Sequence, residues 1–141
     1  MKRFTFRLQS LLDIRRRTED EIKNRIAHKN TQINETAVRL KELGEELTNM
    51  QRTQLQRRSG PTDVVSLRLS VSYRYTLKSR MAETIRFIDT LKKEREEIRG
   101  ELVEARRAVR AIELLRERQF AQWKKKYERT DFSRRNARRG I

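Results

Sequence analysis

Apolar side chains recur along this chain at alternating steps of four and three residues. From Leu8 the repeat reads Leu8, Leu12, Arg15, Glu19, Ile22, Ile26, Lys29, Ile33, Thr36, Leu40, Leu43, Leu47, Met50 and Gln54, with nine of fourteen positions apolar. A second repeat reads Met81, Ile85, Ile88, Leu91, Arg95, Ile98, Leu102, Ala105, Val109, Ile112, Arg116, Gln119 and Trp123, with ten of thirteen apolar. A seven-residue repeat sustained this long predicts left-handed coiled-coil helices. The residues between are mainly charged or amide, as a solvated outer face requires. Glu21/Arg25 and Glu35/Arg39 stand four apart with the acid first, each pair worth about 0.3 kcal/mol on a helix. Polar seam residues at Arg15, Glu19 and Lys29 are expected to fix register at some cost in stability. The step from Ile88 to Leu91 is three where four is due, which predicts local overwinding.

The two repeats are separated by Arg57-Arg58-Ser59-Gly60-Pro61-Thr62-Asp63, which holds the single proline of the chain. Proline ends helices, the preceding glycine frees the turn, and Thr62 or Asp63 can cap a following helix. The pattern predicts an all-α fold, a long antiparallel two-helix coiled-coil hairpin in one domain. The first helix covers about 5–57, the turn 58–63, the second helix about 64–130 and a basic tail 131–141. Leu40 with Met81, Ile33 with Ile88, Leu12 with Val109, Ile22 with Ile98 and Leu8 with Ile112 share one sum of residue numbers to within one. That places the bend at residues 60–61. Each arm would be roughly 80 Å long. Residues beyond about 120 would have no partner in this register, so Trp123 and Tyr127 are expected on a projecting C-terminal helix end.

Two stretches read less simply. Val65, Leu67, Leu69, Val71, Tyr73 and Tyr75 alternate at period two, a strand signal. No second run exists to pair with it, and Leu69, Tyr73 and Leu77 also fit a helix face, so helix is expected. Phe4, Phe6 and Leu8 alternate likewise, as an extended lead-in or a frayed first helical turn, and the aromatics are expected to pack near the open end of the hairpin.

Composition narrows the function. Among 141 residues 35% are hydrophobic and 40% charged, too few apolar groups for a compact globule but enough for helices buried along one stripe. A formal net charge of +16 suits acidic partners. The absence of cysteine excludes disulfides and thiolate metal sites. No apolar run approaches a membrane span, and Arg7, Asp13 and Arg15 interrupt any signal-peptide core, so a soluble cytosolic protein is expected. Catalytic and metal-ligating constellations are missing: His28 lies off the seam, the glycines are isolated, and the carboxylates mix with Lys and Arg along helix faces. Neither an enzyme nor a cofactor or small-molecule substrate is expected.

The basic runs Arg15-Arg16-Arg17, Lys124-Lys125-Lys126 and the terminal arginines leave two readings, phosphate neutralisation on nucleic acid or contact with an acidic protein surface. Trp123 and Tyr127 could stack on bases, but Trp123 continues the seam, which favours packing or docking. Tyr73, Tyr75 and Leu77 near the bend would leave apolar surface that marks a partner site.

The opening Phe4-Thr5-Phe6-Arg7-Leu8-Gln9-Ser10-Leu11-Leu12-Asp13-Ile14-Arg15 resembles the flagellar FliJ family, whose members begin F-x-F-x-L-x-x-L-L before long heptads. Length, basicity, heptads in both arms and the charged tail are similar as well. The resemblance implies a component of the flagellar type III export apparatus, serving motility and chemotaxis. It would be a hairpin like the γ stalk of rotary ATPases, seated in the hexameric export ATPase and promoting its assembly and turnover. Phe4, Phe6, Leu8, Trp123, Tyr127, Arg134, Arg135, Arg138 and Arg139 would lie at the ATPase end. Leu43, Leu47, Met50, Tyr73, Tyr75 and Leu77 would meet the cytoplasmic domain of the export gate membrane protein, or export chaperones. The protein would be cytoplasmic, peripherally associated with the inner face of the cell membrane at the flagellar base, with no specific nucleic-acid partner. A virulence-type secretion stalk and a basic coiled-coil nucleic-acid-binding protein are the alternatives.

Overall fold

The computed structural model describes residues 3–57 and 63–140. Among them two helices form, α1 (Gln9–Arg57) and α2 (Val64–Arg139), and no strand. The fold is an all-α antiparallel hairpin. The predicted turn residues 58–62, with Gly60 and Pro61, lie outside the described residues. The residue after them is the expected cap. Val65 N–H donates to Asp63 Oδ1 at 3.2 Å, and Leu67 N–H donates to the Asp63 carbonyl at 3.1 Å. An aspartate here also places negative charge at the positive helix end. Asp63→Ala should cost about 1 kcal/mol. Hydrogen exchange should quicken only in the first turns of α2.

The described residues fall into two compact units, one of residues 24–99 and one of residues 1–23 with 100–141. In the first unit Ile33, Leu43, Leu77, Leu91 and Ile98 are buried, Leu43 and Leu77 almost completely. The α1 seam follows the sequence pattern through this unit: Ile26, Lys29, Thr36, Leu40, Leu47, Met50 and Gln54 are all half-buried. One polar seam residue from each helix is matched across the pair. Lys29 Nζ meets Glu94 Oε2 at 2.6 Å, and Arg95 Nη1 donates to Asn30 Oδ1 at 3.0 Å. Pairs of this kind add little energy where solvent reaches them, but a slipped register would strand both charges. On the outer face Arg39 turns to Glu42, at 3.6 Å.

In this unit the α2 seam departs from expectation at one place, and in the other unit the predicted seam residue Arg116 is exposed. Ile85 is 48% exposed, whereas Thr84 is half-buried between Met81 and Ile88. The buried line therefore runs Leu77, Met81, Thr84, Ile88, Leu91 in unbroken steps of four and three, and the predicted overwinding has no cause. Helical azimuth, not side-chain hydrophobicity, decides which residue faces the partner. Thr84 tolerates the seam because its hydroxyl donates to the Arg80 carbonyl at 2.7 Å, leaving its methyl for packing. Residues 65–75 are helical, as expected. In their stretch the half-buried positions are Ser70, Arg74 and Thr76, while Val65, Leu67, Leu69, Val71, Tyr73 and Tyr75 are exposed. Period-two apolar residues wound into a 3.6-residue helix scatter around its circumference and cannot share one seam.

In the second unit Phe6, Leu12, Ile22 and Val109 are buried. Residues 3–6 are a non-helical lead-in, so α1 starts later than the predicted residue 5. The helix is entered through Gln9 N–H on the Phe6 carbonyl at 3.1 Å and Leu12 N–H on the Leu8 carbonyl at 2.9 Å. Arg15 is exposed rather than in the seam. Glu19 is half-buried and lies 3.3 Å from Lys23 Nζ and 3.6 Å from Arg106 Nε. Arg16 Nη2 reaches Glu113 Oε1 at 3.2 Å. α2 continues to Arg139, past the expected end near residue 130. Residues 131–139 contain no breaker, Arg135 pairs with Asp131 at 3.2 Å one turn back, and Gly140 follows the last helical residue.

Candidate partner-docking surfaces

Phe120, Trp123 and Tyr127 stand at i, i+3 and i+7 on α2, which brings them to one helix face. Trp123 stacks near-parallel on Tyr127 with centroids 5.6 Å apart and an interplanar angle of 16°. Phe120 stacks on the other side of Trp123 at 6.0 Å and 26°. The lead-in delivers Phe4, which meets Phe120 edge-on at 5.3 Å and 76° and Trp123 at 5.9 Å. Each of these geometries suits the ring quadrupoles and adds about 0.5–1.5 kcal/mol to area burial.

Trp123 is therefore not an unpartnered ring beyond the N-terminus, as the constant-sum register implied. That register counted helix against helix, and the lead-in, with its longer rise per residue, reaches further along α2 than a helical turn would. Of the residues expected at this end, Phe6 is buried, Phe4 and Trp123 are half-buried, and Leu8 and Tyr127 keep over a third of their surface. Phe120 completes the cluster and was not singled out from the sequence; its spacing from Trp123 and Tyr127 was the available signal. Trp123 is the only tryptophan. Phe4→Ala should remove two ring contacts and, Phe4 being half-buried, cost about 1–2 kcal/mol. The emission of Trp123 should move to longer wavelength.

Past this cluster the helix turns cationic. Residues 124–139 are exposed except for half-buried Asp131, and Arg134, Arg135, Arg138 and Arg139 all lie in this segment. Consecutive residues turn 100° about a helix axis, so Lys124, Lys125 and Lys126 alone put charge on three sides. The acids of this segment are Glu128 and Asp131.

The residues expected at the other end divide into two groups. Leu43 and Leu77 are buried in the helix pair and hold the hairpin together; Leu47 and Met50 are half-buried beside them. The surface belongs to Tyr73, whose hydroxyl donates to Glu46 Oε1, and to Tyr75, 75% exposed. Val64, Val65, Leu67, Leu69 and Val71 join them as exposed apolar side chains. A shallow groove runs along Leu67, Arg68, Val71, Ser72 and Tyr75.

Among the described residues no charged side chain is buried, and no three His, Asp or Glu side chains gather as metal ligands. His28 is exposed. No helix among the described residues is long and apolar enough to cross a membrane. What the surfaces offer is contact: an aromatic stack leading into a cationic helix, and an apolar helical end with arginines. A family model described as "Flagellar FliJ protein" matches residues 4–133. No curated protein and no solved structure gives a significant match.

Proposed function

The chain belongs to the flagellar FliJ family, of the flagellar protein export apparatus, and from that premise we propose that it is a non-enzymatic stalk for the export ATPase. The observation that carries the reading is the helical segment 124–139, exposed and cationic on successive sides and rooted in the Phe4–Phe120–Trp123–Tyr127 cluster. A helix charged around its axis suits an enclosing, acid-lined site better than a flat one. The hexameric ATPase would supply that site in its central opening, and the aromatic cluster would hold the segment at a fixed angle to the rest of its unit.

An asymmetric helix inside a six-fold ring touches the subunits unequally. It can then favour one nucleotide state of a subunit over another, by no more than the difference in its affinity for the two. The stalk would promote assembly and turnover in this way, without chemistry of its own. Residues around Tyr73 and Tyr75 would face the cytoplasmic domain of the export gate protein and the export chaperones, holding the protein peripherally at the cell membrane. Turnover of the purified export ATPase, with and without the chain at physiological salt, tests the proposal. Stimulation that saturates at a fixed ratio is expected. An ATPase indifferent to the chain at every ratio would sink it.

A further inference from the structure

The end of the hairpin nearest the bend differs in chemistry from the rest of the molecule. Outside it, acids and bases are mixed along most of both helices, the cationic C-terminal segment excepted. From Leu47 to Ala82 the one acid is Asp63, already engaged as the cap of α2. Over the same stretch the described residues carry Arg52, Arg57, Arg68, Arg74, Lys78 and Arg80.

The apolar side chains here are also placed unusually. Val64, Val65, Leu67, Leu69, Val71 and Tyr75 are each between 52% and 75% exposed. At 100° per residue they cover a broad arc of about 200° on the side of α2 away from the polar seam positions Ser70 and Arg74. An exposed apolar face this broad marks a surface that another partner covers. α1 contributes no such enclosure: the residues facing this stretch include Gln51 and Gln54, and Leu55 is itself 64% exposed.

We propose that the first two turns of α2, ahead of Tyr73 and Tyr75, dock into an anionic phospholipid surface, with the aliphatic side chains in the acyl boundary and the arginines among the headgroup phosphates. This goes beyond the stalk reading and does not depend on it. Three observations favour lipid over the other occupants. A second copy would bring two acid-poor, arginine-rich ends together, and like charges repel. A partner groove covers one narrow stripe of a helix, whereas these side chains form a face of about 200°. The remaining polar residues of the stretch are Ser66, Ser70, Ser72 and Thr76, small enough to leave the aliphatic groups prominent, and arginine stems can reach past them to phosphates. Since no helix among the described residues is long and apolar enough to cross a membrane, the segment would lie in the interface, where cationic side chains and apolar burial act together.

The test is flotation of the full chain with phosphatidylcholine vesicles containing or lacking phosphatidylglycerol. With a net charge of +16 some attraction to anionic vesicles is unavoidable, so variants must separate charge from insertion. The combined variant Leu67→Ser, Leu69→Ser, Val71→Ser changes exposed positions only and should bind anionic vesicles at least about tenfold more weakly. Replacing Arg134, Arg135, Arg138 and Arg139 by glutamine should change binding less than about threefold. Leu67→Trp supplies a second reading: its emission should shift to the blue on anionic vesicles and be quenched by brominated acyl chains. Equal binding by the serine variant, binding that disappears with the tail arginines, or a Leu67→Trp signal indifferent to brominated lipid would each overturn the proposal. So would sedimentation showing that this face joins two copies in solution. ATPase stimulation by the serine variant should stay at the parental level, so failure of lipid binding and failure of the stalk reading are told apart.

Discussion

Leu77→Ala should destabilise the chain by about 2–4 kcal/mol, while Ile85→Ala, two turns further along the same helix, should change stability by no more than about 0.5 kcal/mol. The sequence pattern puts Ile85 in the seam and Leu77 on a partner surface near the bend, and the structure reverses both. Leu77 is fully buried, and Ile85 is 48% exposed. Alanine is the best helix former, so neither change weakens the helix itself and the difference reports packing alone. At Leu77 the substitution opens a cavity between two helices that have no third layer to close it. At Ile85 the side chain already faces water, and the gain in helix propensity offsets much of what is lost. Circular-dichroism melts or urea titrations would read both. Equal losses at the two sites would put Ile85 back in the seam and restore the overwound step between Ile88 and Leu91.

The second large effect concerns the cationic segment. Reversing Arg134, Arg135, Arg138 and Arg139 to glutamate should cut stimulation of the export ATPase about tenfold or more, which corresponds to at least about 1.4 kcal/mol of lost coupling. The change would lower the net charge from +16 to +8, four positive charges becoming four negative. It would also place negative charge at the negative end of α2, fraying its last turns. None of the four residues touches the buried core, so the main melting transition should stay within about 2 °C of the parent. The matching glutamine variant removes attraction without adding repulsion and should fall between the two. Raising salt should weaken the parental effect, because these charges are exposed and screened within about 10 Å. Stimulation unchanged by the reversal would move the docking site away from the cationic segment.

Several elements were legible from residue types and spacing. The α1 seam from Ile22 to Gln54 is the line of half-buried and buried residues in the structure. A helix facing one partner exposes its seam with a fixed period, and in α1 the hydrophobic residues keep that period. Asp63 as a cap was legible for a similar reason, since capping depends on one side chain and the amides beside it. The exposed Tyr73 and Tyr75 were also found, because two tyrosines outside any seam have few places to go. Leu43 and Leu77, read as contact residues, proved to be the tightest packing in their unit.

Where the sequence was silent or misleading, two patterns competed. At Thr84 and Ile85 the hydrophobic side chain and the correct azimuth fall on neighbouring residues, and hydrophobicity alone chooses the wrong one. At the N-terminus no pattern says how far a short extended lead-in reaches along another helix, so the union of Phe4 with Phe120 and Trp123 could not be foreseen. Sequence by itself determined the two helices, their antiparallel pairing and the cationic C-terminal segment, because periodicity, breakers and charge are local properties of the chain. Tertiary structure alone decided which apolar residues are spent on the seam and which are left outside. Burial depends on the rotation of each helix against the other, and one step of 100° turns a core isoleucine into a surface one.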